Sequence, residues 1–172
     1  MAVRTAPRRP QVSIGYRRIL VPVVDNAASD EAVDVACRLA AERHGSLTVT
    51  TVVEVPPQLP LDAHMDEEDE DAHALLARAQ AIAESYGVDV SACVVHARDA
   101  AEAIVEQARR TEVELLVVGG VCGGRRFRGT IRDVLQKAPC RVAVIAGSSR
   151  TSTVPPREND SALRGGAPAR RL

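Results

Sequence analysis

Residues 119–130, GGVCGGRRFRGT, place five glycines, three arginines and a threonine in twelve positions. The mixture suits an oxyanion: glycines let backbone N–H groups come close, arginines pair with the charge, and the Thr130 hydroxyl donates one more hydrogen bond. It is not a Walker A loop, because Gly124 to Thr130 reads GxxxxGT and lacks the lysine that reaches the outer phosphates. What remains is Gly120-x2-Gly123-x5-Gly129-Thr130, directly after Gly119 and ahead of a helix whose dipole favours negative charge at its start. A second account needs no ligand. Thr130 would N-cap that helix, with Asp133 completing a capping box. The residue types leave both accounts open.

Other chemistry-bearing groups are scattered. Seven carboxylates fall within residues 62–71, with His64 among them and His73 just beyond. Imidazole and carboxylate both ligate divalent metals. Equally, acids at a helix start oppose the macrodipole, and the spacing of the two histidines does not put them on one turn. Cys37, Cys93, Cys122 and Cys140 form no CxxC pair, which argues against a zinc ribbon, a redox motif or a disulfide framework and for reduced thiols in the cytoplasm. Cys122, beside the arginines, is the thiol expected to be exposed. No GxSxG, HExxH or local Cys-His pairing is present, so catalysis has no sequence signal.

Composition narrows the partners. Lys and Arg number 22 against 23 acids, a formal net charge of −1, which points to neither nucleic acid nor an acidic partner. Phe127, Tyr16 and Tyr86 are the aromatic residues, too few for a base-stacking platform. The basic opening MAVRTAPRRPQVSIGYRR lacks a signal-peptide core, and no segment approaches the roughly 18 apolar residues that span a bilayer. Residues 1–16 and 148–172 read as disordered tails, leaving a domain over 17–147.

The elements that must carry the glycine segment follow from periodicity. Ile19 to Val24 is an aliphatic run suited to a buried parallel strand. Ser29 is placed to cap a helix whose Ala32, Val35, Ala36, Leu39 and Ala40 share one face, ending near His44 and Gly45. SLTVTTVVEV is a second strand, and Leu75, Leu76, Ala79, Ile82, Ala83 and Tyr86 make a helical face stopped by Gly87. VDVSACVV is a third strand, and Asp99 with Glu102 heads a helix carrying Ile104, Val105 and Ala108. Leu115 to Gly119, Ile131 to Lys137 and Arg141 to Ala146 supply strand, helix and strand. Strict β-α alternation implies an open, doubly wound, five-stranded parallel sheet with helices on both faces. Ligands of such sheets bind beyond the carboxyl ends of the strands, where the strand order reverses.

Four blocks carry a resemblance: RRILVPVVDNAASDEAV, RDAAEAIVEQA, ELLVVGG and GTIRDVLQKAPCRVAVIA. At these spacings they resemble the universal stress protein (UspA-like) family over about residues 17–147. The resemblance implies an adenine-nucleotide α-hydrolase-like sheet in order 3-2-1-4-5, with the reversal between the first and fourth strands. ATP-binding members carry G-x2-G-x9-G-(S/T) after the fourth strand and an aspartate directly after VPV. Here Gly120, Gly123, Gly129 and Thr130 fill the glycine and hydroxyl positions, but the spacer is five residues. The aspartate position holds Val24, with Asp25 one residue later. That offset turns the side chain the other way, and Arg125, Arg126 and Arg128 are then the groups left to meet phosphate.

The resemblance therefore implies a cytoplasmic, dimeric stress-response module, joined through its final strand, with ATP or another adenine nucleotide as ligand and Mg²⁺ only alongside it. The alternative is a UspA-like interaction module without nucleotide, such as a regulatory partner of a membrane transporter; the shortened loop is similar to UspA domains associated with transporters. An enzyme of the wider α-hydrolase group would need an SGG-like loop where VPVVDNAAS stands.

Overall fold

The computed structural model describes residues 16–121 and 125–147 and, within these, not the side chains of 121 and 125–128. Residues 1–15 and 148–172 of the predicted tails, Cys122 and Gly123 lie outside the described residues, whereas Tyr16, the last residue of the first tail as predicted, packs against the core. In chain order the elements are β1 (Arg18–Pro22), α1 (Ala27–Ala41), β2 (Ser46–Glu54), α2 (Asp66–Ser85), β3 (Asp89–Ala97), α3 (Ala100–Arg110), β4 (Leu115–Val121), α4 (Arg125–Lys137) and β5 (Arg141–Gly147). All pair in parallel in the order β3-β2-β1-β4-β5, as the resemblance implied.

Both faces of the sheet are covered, so the central strands bury successive residues on opposite sides. Ile19, Val21 and Val23 join Leu115, Val117 and the inward faces of α1 and α2 in one cluster. Leu20, Leu116 and Val118 join α3 and Val134 of α4 in the other. Each such aliphatic side chain removed from water stabilises the fold by about 1.5–3 kcal/mol, which is why β1 and β4 read as continuous apolar runs. Asp99 caps α3, its Oδ1 accepting the Glu102 N–H at 2.7 Å.

Three expectations change. β1 stops at Pro22 rather than Val24, because after one last ladder bond, from Val23 N–H to Thr50 O, the Val24 N–H turns to Ser29 Oγ. The cap of α1 is Asn26, whose Oδ1 accepts the Ser29 N–H at 2.8 Å; Ser29 is itself inside the helix. α4 begins at Arg125, six residues before the predicted Ile131, so Thr130 lies within the helix and is not its N-cap. Arginines are good helix formers, and one interior glycine costs only about 1 kcal/mol.

Two features position the crevice. β1 pairs with β4 only at Ile19↔Leu115 and Leu20↔Leu116, so the strands part above that point. Into this region comes the first turn of α1. A Cβ added at Gly119 would lie 2.6 Å from Ser29 N and against the Ala28 carbonyl, and one added at Gly147 would lie 2.9 Å from the Ala28 Cβ. Gly119 is therefore a close-approach glycine. Gly129, in α4, has open space where a Cβ would go.

The two glycines should respond oppositely. Gly119→Ala should lower the unfolding free energy by about 1–3 kcal/mol through overpacking, whereas Gly129→Ala should raise it by about 0.5–1 kcal/mol. Urea unfolding followed by circular dichroism reads both, and the same sign for the two would contradict this assignment.

Candidate functional site

The turn from β1 into α1 is set by hydrogen bonds. Val23 N–H continues the ladder to Thr50 O at 2.8 Å, the Thr51 hydroxyl donates to Val23 O at 3.4 Å, and Ser29 Oγ accepts the Val24 N–H at 3.1 Å. Asn26 N–H then donates to Val24 O at 2.7 Å. This tight path sends successive side chains apart. Val24 lines a cavity and stays 38% exposed, whereas Asp25 turns to Arg78 of α2, 3.3 Å away. The same guanidinium bonds Asp30 at 3.1 Å, pinning the start of α1 to α2.

The cavity, of about 580 Å³, sits over the carboxyl ends of β1, β2 and β4. That is within the range of small-ligand sites. Its floor is apolar: Val23, Val53, Val118 and Val134, with Leu75 and Ile104 from α2 and α3. Its polar groups are Thr51, Thr130 and three carboxylates, Glu54, Glu68 and Asp71. Glu54 is engaged by the first residue of α3, its Oε1 accepting the Ala100 N–H at 3.3 Å.

Of the residues singled out by sequence, Val24 and Thr130 meet at this cavity. Gly119 and Gly120 are buried in β4, where Gly120 pairs with Ala146, and neither lines it. Asp25 is committed to Arg78, and Gly129 is an exposed position of α4. Gly123 and the Arg125 side chain lie outside the described residues. Sequence reasoning missed the β2 and α2 contributions. The signal was the strand order itself: beside β1, the carboxyl end of β2 must face the same crevice.

The family model of the universal stress protein family matches residues 15–146. The chain belongs to that family. A protein from the universal stress protein family of Burkholderia pseudomallei is 27% identical, with 79% of this chain and 98% of that chain covered and a TM-score of 0.62. A universal stress protein in complex with cAMP is 25% identical, covering 77% of this chain and 98% of that chain at a TM-score of 0.60. The universal stress protein from Archaeoglobus fulgidus in complex with dAMP is 22% identical over 76% of this chain and 98% of that chain, TM-score 0.63, a likeness of fold. No curated protein matches the chain.

In this universal stress protein Glu68 and Asp71 of the acidic segment border the cavity, whereas the histidines and the described cysteines do not. No group of three or more His, Cys, Asp or Glu side chains among the described residues is placed to hold a metal ion. His64 and His73 are exposed. His96 of β3 is the imidazole that reaches a carboxylate: its Nε2 lies 2.8 Å from Asp69 Oδ1 in a sealed contact whose geometry falls short of a hydrogen bond. No described helix is long and apolar enough to cross a membrane.

Cys37, Cys93 and Cys140 are free thiols. Cys37 is fully buried on α1, and burial, reinforced by the Asp34 charge, pushes its thiol up to about 11. The Cys140 thiol is raised by burial, with a backbone hydrogen bond from Leu116 acting the other way.

For Cys37 the folded value lies above the reference value of 9.0, so the unfolded chain ionises first. The stability present below about pH 9 should therefore fall as pH rises through the folded value of about 11. Urea midpoints across that range test this; Cys37→Ala should be less stable at pH 8 but show a flatter decline.

Proposed function

We propose that this universal stress protein is a cytoplasmic regulatory module, not an enzyme, that binds an adenine ligand in the crevice where β1 and β4 part and acts as a homodimer. The cavity at that point carries the reading: its volume, its apolar floor and the hydroxyl of Thr130 suit a flat base with a polar extension. The 25% identical relative in complex with cAMP supports the same ligand class. On this reading Val24 and Thr130 touch the ligand, Gly123, Gly129 and Arg125 form its phosphate side, and Gly120 supports them from within β4, with Mg²⁺ entering only with a nucleotide. Gly119 and Asp25 act at one remove, through Ala28 and Arg78. The module is the domain over 17–147.

A second reading is favoured by Val24 standing where a carboxylate is usual and by the five-residue spacer. The crevice would then be vestigial and the module a protein partner, for instance regulating a transporter. Calorimetric titration of adenosine, cAMP, AMP, ADP and ATP into the full chain separates the two, since silence with every ligand leaves only the second. Under the first, Thr130→Ala should weaken binding about three- to tenfold, the effect of one hydrogen bond, and Asp25→Ala should change it less than about twofold, as expected of an exposed pair.

The dimer reading rests on the β5 edge, where Val144 is 42% exposed and Leu135 of α4 is also exposed. An open apolar edge strand invites pairing. Light scattering on a sizing column should report a dimer, and Val144→Glu should give a monomer of unchanged circular dichroism.

A further inference from the structure

The charges that described residues bring to the crevice are of one sense. Among the described residues, Glu54, Glu68 and Asp71 border it and no basic side chain does. Glu68 and Asp71 are exposed, one helical turn apart on α2, and neither pairs with a basic group among the described residues. Helix energetics does not account for both. The macrodipole fades beyond the first turn, which Asp66, Glu67, Glu68 and Asp69 already occupy. Asp71 lies past it and still borders the cavity. The carboxylates come from β2 and α2, whereas Thr130 comes from α4. A ligand with several phosphates must therefore pass or lie beside a negative rim.

We propose that this acidic rim makes the crevice selective for adenine ligands of low charge, the nucleoside or a monoanionic cyclic phosphate, and selects against the triphosphate. The inference rests on the adenine-ligand reading above. A neutral base and ribose feel little of the rim's field, while repulsion scales with the number of ligand charges and is strongest where the cleft walls are apolar. The shortened spacer acts in the same direction, because it removes backbone N–H groups that would offset that repulsion.

The test is calorimetry on the full chain with adenosine, cAMP and ATP, with and without Mg²⁺, at two ionic strengths. Adenosine and cAMP should bind at least about tenfold more tightly than ATP at low salt, a modest effect for a charged cleft. ATP binding should strengthen as salt rises, since screening weakens a repulsion. Replacing the pair, Glu68→Gln with Asp71→Asn, should improve ATP binding several-fold more than adenosine binding. If ATP binds as tightly as adenosine, or weakens with added salt and ignores the double substitution, the arginines of the glycine segment dominate and the proposal is wrong. If no adenine ligand binds, the reading beneath it fails as well.

Discussion

The contact between Ala28 and Gly119 is the constraint on which the rest depends. With no room for a Cβ at Gly119, and a close fit at Gly147 two residues further along the paired strand, β4 and β5 offer a shallow seat for the first turn of α1. The end of β1 is fixed independently, at Pro22, by the bond that Val23 N–H makes to Thr50 O of the neighbouring strand. The chain between these fixed points has four residues, 23–26, and hydrogen bonds to Thr50, Ser29 and Asn26 use up its freedom. Its side chains consequently have assigned directions. That is how a packing contact between a helix and a strand decides which residue faces the crevice.

The same contact explains why one residue of offset matters. Val24 faces the cavity and Asp25 the Arg78 guanidinium, so moving the carboxylate by one position exchanged a possible ligand contact for a tether between the α1 start and α2. Exposed ion pairs of this type add little stability, commonly under about 1 kcal/mol. Their effect here is geometric. Arg78 joins Asp25 and Asp30, and so holds the rim of the crevice to the helix that carries Glu68 and Asp71.

Much of the fold was legible because burial on both faces writes uninterrupted aliphatic runs into β1 and β4, and because Asp99 and Gly87 punctuate helices in familiar ways. Strand order was not legible from periodicity, which carries no information about neighbours; it came from the resemblance in blocks such as GTIRDVLQKAPCRVAVIA. The start of α4 was missed because glycines on both sides of RRFR looked like a loop, although those four residues favour a helix. Gly119 was read as part of an anion loop, since a glycine that admits ligand and one that admits a helix look identical in sequence. For the acids of α2 the sequence offered a helix start as one of two accounts, and Asp66 to Asp69 do occupy the first turn; the position of Glu68 and Asp71 beside the cavity depends on the tertiary placement of α2.

That double placement has a physical logic. Met65 provides no side-chain cap for α2, so the free N–H groups of its first turn are favoured chiefly by the carboxylates that follow. Any acid in that turn stabilises the helix wherever it points. Which acids of α2 also border the crevice, Glu68 in that turn and Asp71 beyond it, is decided by the rotation of α2, and that rotation is set by Ala72, Leu76, Ala79 and Ala83 packing inward. Glu68 and Asp71 border the cavity together with Ala72, so the residues that bury the helix also bring its charge to the crevice. Rim charge can therefore change by single substitutions at exposed positions while the buried face, and with it the crevice, stays as it is.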